Sequence, residues 1–326
     1  MRLLKLVPDN TNIDFMRWRW FAIATSVLLV AASIFVLATR GLNLGVDFAG
    51  GQMVHATFQQ PPELDELRNR LNSLDLGEPT IQEFGSPREI AIRIPGHSEQ
   101  TADEANAAIT QVRNAVLQNY AGSRIDSVET VTGKISGELA WDGAISLLLA
   151  MLGVAAYIWI RFEWQFGIGA LVSLLHDFII VLGFYSLTQI EFSLNAIAAL
   201  LTLIGYSLND TVVVYDRIRE NLMKYRKMAI EPLLNLSVNE TLSRTIGTNT
   251  AVLLAIVALL IFGPDVIYDL TIGIFVGVVI GTYSSIYVAR FLLVPLGVGP
   301  DSFVPTDPVS RAERGPRNEG HDGAKV

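Results

Sequence analysis

The chain has 326 residues, of which 51% are hydrophobic and 17% charged. Soluble domains carry about 25% charged residues, so the composition points to a membrane protein with a soluble portion attached. The absence of cysteine excludes disulfides, thiolate metal sites and cysteine nucleophiles. The four histidines (His55, His97, His176 and His321) show no metal-ligand spacing, and a net charge of −8 argues against a nucleic-acid partner.

Residues 1–20 are polar and basic, with Arg2, Lys5, Arg17 and Arg19 against Asp9 and Asp14. Residues 21–39 form an apolar run of the length a bilayer needs. The run is longer than a signal-peptide core of about 7–15 residues and lacks a convincing A-x-A cleavage site before Arg40. It reads as a retained first helix, with Trp18 and Trp20 as interfacial anchors. Residues 40–137 differ in kind. GQMVHATF alternates as a strand does, and PELDELRNRLNSL has helical spacing with acids in its first turn. PTIQEF and EIAIRIP read as two strands. TADEANAAITQVRNAVLQNY reads as a second helix with Ile109, Val112, Val116 and Tyr120 on one face, and RIDSVETVT as a closing strand. The order β-α-β-β-α-β predicts a ferredoxin-like α+β domain, and its roughly 98 residues suffice for a small independent core. GLNLGVDFAGG, at the start of this region, is followed by a strand and has no Gly-Lys-Ser/Thr, so its glycines read as tight backbone turns rather than a phosphate cradle.

Five further spans are expected at 139–160, 166–187, 193–215, 245–262 and 270–294, with a polar connector at 216–244. In the last span Gly273, Gly277 and Gly281 are spaced by four, which permits close helix contact. Residues 295–326 are rich in Pro, Gly and charge and are expected to be disordered. Six spans place both termini on one side. The basic amino terminus, the connector with Arg217, Arg219, Lys224, Arg226 and Lys227, and the arginines of the tail put that side in the cytoplasm. The expected fold is an α-helical polytopic membrane protein of six transmembrane helices, with one ferredoxin-like α+β extracytoplasmic domain between helices 1 and 2. The eight basic residues of that domain do not oppose its export, because long loops translocate largely regardless of charge.

The chemistry concentrates in LLTLIGYSLNDTVVVYDRIREN. A carboxylate at the centre of a membrane helix costs about 2.5–3.5 kcal/mol on insertion scales, and by default it marks a functional site. Tyr206, Ser207, Asp210 and Val214 are three or four residues apart and share a helix face, with Asn209 and Thr211 flanking it. The alternative is a polar cluster that only joins helices. Arg244 opens the fifth span, and Thr245, Thr248, Asn249 and Thr250 carry a polar stripe into the membrane. An arginine beside a carboxylate favours its charged form and burial disfavours it. A motion that separates Arg244 from Asp210 then switches the acid between releasing and accepting a proton, whereas the alternative for Arg244 is snorkelling to the interface. His176 and Asp177 form a second ionisable site within the third span, open to a proton path or to a structural tie. As neighbours on a helix they point in different directions, so a Ser-His-Asp site is unsupported. An intramembrane aspartyl protease has Asp177 with Asp210 as its one candidate pair and no other feature in its favour. No cofactor, metal or enzymatic catalytic residue is expected.

Three functions fit to different degrees: an energy-coupling subunit driven by protons, a proton-driven exporter of small molecules, and a non-catalytic scaffold. One external domain of this size is too small for an exporter's paired pockets, and the residues alone leave the first and third open. GYSLNDTVVVYDRIREN resembles the signature segment of the SecF branch of the SecD/SecF family. GVDFAGG, LSRTIGTNT and IDFMRWRW match that family in the same order. The resemblance covers nearly the whole chain outside the carboxy-terminal tail. It implies membership of the resistance-nodulation-division superfamily, a cytoplasmic (inner) membrane location, and a six-helix partner, SecD, beside the SecYEG channel. It also implies use of the proton motive force to pull unfolded exported polypeptides outward after an ATP-driven motor has pushed them in. Asp210 would be the proton-carrying acid and Arg244 its basic partner; Thr248 and Asn249 would line the path, with Ser207 and Asn209 assisting. Gly45, Asp47, Phe48, Gly50 and Gly51 would belong to a structural motif that opens the external domain.

Overall fold

The computed structural model describes residue 8 and residues 11–77, 79–84, 86–96, 102–131 and 133–299. The expected disordered tail lies, from residue 300 onward, outside the described residues, as do Arg2 and Lys5.

Among the described residues, six helices are long and apolar enough to cross a membrane. They are α1 (Arg19–Arg40), α5 (Gly133–Arg161), α6 (Trp164–Thr188), α7 (Leu194–Lys224), α8 (Ile230–Phe262) and α9 (Tyr268–Ile286), the last extended by the short α10 (Val288–Phe291). Helices satisfy their own backbone groups, which hydrocarbon cannot do for them. Their ends carry recognisable stops and starts. The Gly41 N–H closes α1 onto Leu37 at a positive φ of 68°, Gln189 takes a left-handed conformation after α6, and Ser193 caps α7 by accepting from Asn195 N at 3.0 Å.

The stretch expected as a polar connector, 216–244, is mostly helix, because α7 runs on to Lys224 and α8 begins at Ile230. The reason is amphipathicity. Tyr215, Ile218 and Leu222 of α7 and Leu233, Leu234 and Val238 of α8 lie on buried stripes. Most of them join Phe162, Phe166, Ala289 and Leu293 in one apolar cluster. The charges take the other faces, where Arg217 pairs with Glu240 at 2.7 Å and with Glu220 at 2.6 Å. The connector's polarity lies on the outward-facing side of two helices.

Between α1 and α5 lie α2 (Val46–Ala49), β1 (Gly51–Thr57), α3 (Leu64–Asn72), β2 (Thr80–Phe84), β3 (Ser86–Ile94), α4 (Ala102–Asn119) and β4 (Arg124–Val131). The sheet order is β2-β3-β1-β4 with every neighbouring pair antiparallel. Val54 of the central strand faces Ile92 on one side and Val128 on the other. Val112 and Val116 of α4 and Leu67 and Leu71 of α3 complete a separate apolar core with Val54, Phe58 and Ile92. Within GVDFAGG the one-turn helix α2 was not expected. Gly50 and Gly51 then turn the chain into β1 at φ values of 69° and 113°.

The helix α9 packs closely on α7. A Cβ on Gly273 would stand 3.0 Å from Ala199 Cβ and closer still to the Tyr185 hydroxyl, which is held by donating to Asp269 O at 2.6 Å. Overpacking of a tight contact costs about 1–3 kcal/mol. Gly273→Val is therefore expected to lower the thermal unfolding midpoint of the detergent-solubilised chain, whereas Gly153→Val, at a position open to its surroundings, leaves it within error.

Candidate functional site

Two carboxylates stand within the helix bundle, each built into a polar crossing by its own helix and its neighbours. Asp177 of α6 is fully buried. Its Oδ2 accepts from Ser207 Oγ of α7 at 2.7 Å and from Ser284 Oγ of α9 at 2.8 Å. Its Oδ1 lies 2.9 Å from His176 Nδ1, while His176 Nε2 has no partner among the described residues. Three helices are thus tied at one acid.

Asp210, one turn beyond Ser207 on α7, is buried at 6% exposure. Its Oδ2 accepts from Asn249 Nδ2 of α8 at 2.8 Å. The same amide nitrogen donates to Thr282 Oγ1 of α9 at 2.6 Å, and the amide oxygen accepts from the Tyr206 hydroxyl at 2.6 Å. Asn249 is therefore used on both ends of its amide and is fixed between α7 and α9. The second oxygen of Asp210 has no hydrogen-bond partner among the described residues.

The sequence-derived set divides at this point. Ser207, Asp210 and Asn249 come together, and His176 and Asp177 join them through Ser207. Arg244 and Thr248 do not. Both are exposed, no ion pair joins Arg244 to Asp210, and Thr248 Oγ1 donates to the backbone of Arg244 at 3.0 Å. Helical phase explains the split: Arg244 and Thr248 share one stripe of α8, and Thr245 and Asn249 share the adjacent, buried one. Asn209 is likewise exposed. Thr282 and Ser284 were not anticipated. The signal was the polar run GTYSS in the last span, which had been read only for its glycines.

Below the network, the amino-terminal segment is clipped to the polar part of α8. The Ile13 N–H donates to Asn239 Oδ1 at 2.8 Å, and Asn239 Nδ2 returns a bond to Ile13 O at 2.9 Å. Asn235, one turn away, accepts from Met16 N at 3.0 Å. At the other end of the bundle, Gly45 N donates to Phe192 O at 3.0 Å, Asp47 Oδ2 accepts from Leu194 N at 2.8 Å, and the Phe48 ring lies 5.9 Å from that of Phe192. Among the described residues no group of three or more His, Asp or Glu side chains is placed to hold a metal ion.

Residues 111–298 match the family profile described as protein export membrane protein SecD/SecF, C-terminal, and residues 35–62 match the SecD/SecF GG motif. Among curated proteins, the chain is 46% identical over 287 residues to a protein translocase subunit SecF of Desulfurispirillum indicum, covering 86% of this chain and 91% of that one. It is 45% identical over 303 residues to its namesake in Cereibacter sphaeroides, covering 90% and 93%. Among solved structures it resembles SecDF, a translocon-associated membrane protein from Thermus thermophilus, with a TM-score of 0.82 and 34% identity. That match covers 89% of this chain but only 39% of the SecDF chain, so this chain spans about two fifths of it.

The contacts set an order among substitutions. Asn249→Ala leaves the Asp210 oxygen, the Tyr206 hydroxyl and Thr282 without their shared partner, and is expected to cost about 1–2 kcal/mol of stability. Thr248→Ala, on the exposed stripe, is expected to stay within about 0.5 kcal/mol of the parent. Thermal unfolding of the purified proteins in one detergent checks both.

Proposed function

The chain belongs to the SecD/SecF family of protein-export membrane proteins, and from that premise we propose that it is the SecF-type subunit of the Sec export complex. In this reading it acts with SecD to turn the proton motive force into outward movement of an unfolded polypeptide across the bacterial cytoplasmic membrane. It is a transport subunit, not an enzyme in the usual sense. The external α+β region, 40–137, is a ferredoxin-like domain outside the membrane. The β-α-β-β-α-β order and the β2-β3-β1-β4 sheet support that reading. Both termini are cytoplasmic, and the ends of α7 and α8 that meet the amino-terminal segment are on the same side.

The observation that carries the relay is the contrast between the two acids. Asp177 has both oxygens occupied and no exposure; Asp210 has one oxygen held by Asn249, the other without a partner among the described residues, and slight exposure. A proton carrier needs one free oxygen and a route to it. At 1.5 Å per residue, Asp210 is about 24 Å along α7 from its outer end, and Asp177 about 16 Å along α6 from its outer end. Asp210 is the carrier nearer the cytoplasm. Asp177 with His176 is the fixed tie that holds Ser207 and its helix in place. Asn249 orients the acid, with Ser207 one turn away.

Arg244, Thr248 and Asn209 are exposed in the single chain, and an arginine stripe facing lipid is costly. This supports their being covered by the partner bundle, SecD, where Arg244 meets its charge. The SecYEG channel and the exported chain complete the assembly.

Vesicles carrying SecD, the channel and either the parent chain or Asp210→Asn test this. The parent is expected to speed export when a proton gradient is imposed, and the variant to lose that response while still assembling. Arg244→Lys is expected to retain part of it, because lysine lacks the planar fork and gives up its proton more readily. An equal response from parent and Asp210→Asn would make Asp210 a helix tie and the subunit a scaffold.

A further inference from the structure

The GVDFAGG segment does more than turn the chain. Phe192 N donates to Asn43 O at 2.7 Å and Gly45 N returns to Phe192 O at 3.0 Å, so Leu44 and Phe192 pair as a short parallel bridge. Asn43 Nδ2 donates to Gln189 O at 2.9 Å, and Gln82 of β2 reaches the same carbonyl at 3.2 Å. Arg93 of β3 holds Leu44 O at 2.9 Å. Asp47, within α2, accepts from the Leu194 N–H, one of the orphan donors at the start of α7. A carboxylate there also meets the positive end of the helix dipole. Sheet, motif and the helix carrying Asp210 are joined in one clasp over 189–194.

Glu191 sits at its centre. A Cβ on Gly45 would lie 2.5 Å from Glu191 Oε1, so a larger residue there would push the Glu191 carboxyl aside. Beside it is a cavity of about 320 Å³ bounded by the sheet on one side and by the loops before α7 and α9 on the other. The titratable groups facing it are Asp47 of α2, His55 of β1, Glu83 of β2, Glu129 of β4, and Tyr268 and Asp269 of α9. Arg93 supplies an opposing charge. We infer that Asp47 and Glu191 are positioning residues that couple the external domain to α7, and that protonation of Glu191 tightens this clasp while its ionisation loosens it.

Burial pushes the Glu191 carboxyl up to about 7 from an ordinary 4.5, and the negative charges of Glu129, Asp269 and Asp47 add to this against Arg93. A carboxyl raised in the folded state stabilises its surroundings fully below its unfolded value and loses that contribution as pH rises through its folded one. The clasp is therefore tight below about pH 4.5 and loosens as pH rises through about 7. On the reading proposed above this end faces outward, where the proton gradient delivers protons. The clasp itself does not depend on Asp210 carrying any.

Amide exchange of the full chain in nanodiscs, without SecD or a gradient, tests the clasp separately from export. After correction for intrinsic rates, peptides covering 42–49 and 189–195 are expected to gain on the order of tenfold protection between pH 8 and pH 5.5, while those in the sheet core do not. Glu191→Gln is expected to stay protected at both pH values. Asp47→Asn keeps an acceptor at Leu194 and is expected to retain the pH response. Protection of the parent that is the same at both pH values overturns the inference. So does a pH response that persists in Glu191→Gln, which would assign it to a neighbouring acid or to His55.

Discussion

A carboxylate held in hydrocarbon has to find its hydrogen-bond donors inside the protein, and this need decides how the helices of the bundle cross. Asp177 collects Ser207 and Ser284 from two other helices and His176 from its own. Side-chain hydrogen bonds within membranes are worth about 0.6–1.7 kcal/mol each. Three of them are of the size of the roughly 2.5–3.5 kcal/mol that inserting the acid costs. Asp210 has one such bond, through Asn249, and is left under-compensated. A site that must exchange a proton gains from that deficit, because a fully satisfied anion has little reason to change state. On the proposed reading, this difference in donors is what distinguishes a tie from a carrier.

Much of this was legible in the sequence, and the rest was hidden for physical reasons. Tyr206, Ser207 and Asp210 share a face by simple helical phase, and that face is the one that meets α6, α8 and α9. The partners on α9 were harder to see. Thr282 and Ser284 are short hydroxyls that bond to their own backbone as readily as to a neighbour, so composition does not distinguish a lining residue from a bystander. The expected approach of Arg244 to Asp210 treated the polar stripe of α8 as one face. It is two, and only the Thr245–Asn249 stripe turns inward. The helical period of the 216–244 connector is masked by its charge. Arg217, Glu220 and Glu240 pair with one another on the wet side while Ile218 and Leu222 stay buried.

The two helices that carry the network are also held at their ends. At one end, α7 begins at the Asp47 cap and the Leu44–Phe192 bridge. At the opposite end Asn221 of α7 donates to Ser237 of α8 at 3.0 Å and to Glu240 at 2.7 Å, and Asn239 and Asn235 grip the segment before α1. Arg19 adds an ion pair to Glu231. A glycine makes the approach close along α9, since a Cβ on Gly273 would stand 3.0 Å from Ala199 Cβ of α7. A helix fixed at both ends and packed against small residues has few ways to move.

On the proposed reading, the same geometry accounts for the need of a partner bundle. Asn249 is the only side chain bonded to the Asp210 carboxylate among the described residues, and it is neutral; the cation expected for the acid stands on the exposed stripe of α8 beside Thr248. On the proposed reading, a partner bundle laid over this stripe removes Arg244 from its exposed position and brings a second set of charges within a few ångströms. At that range a pair near a protein surface interacts by about 4 kcal/mol, against about 1 kcal/mol in water. The coupling between proton and movement would then reside at the joint between the two bundles. On that reading the network within this chain supplies a partly satisfied acid, and assembly alters the charge around it.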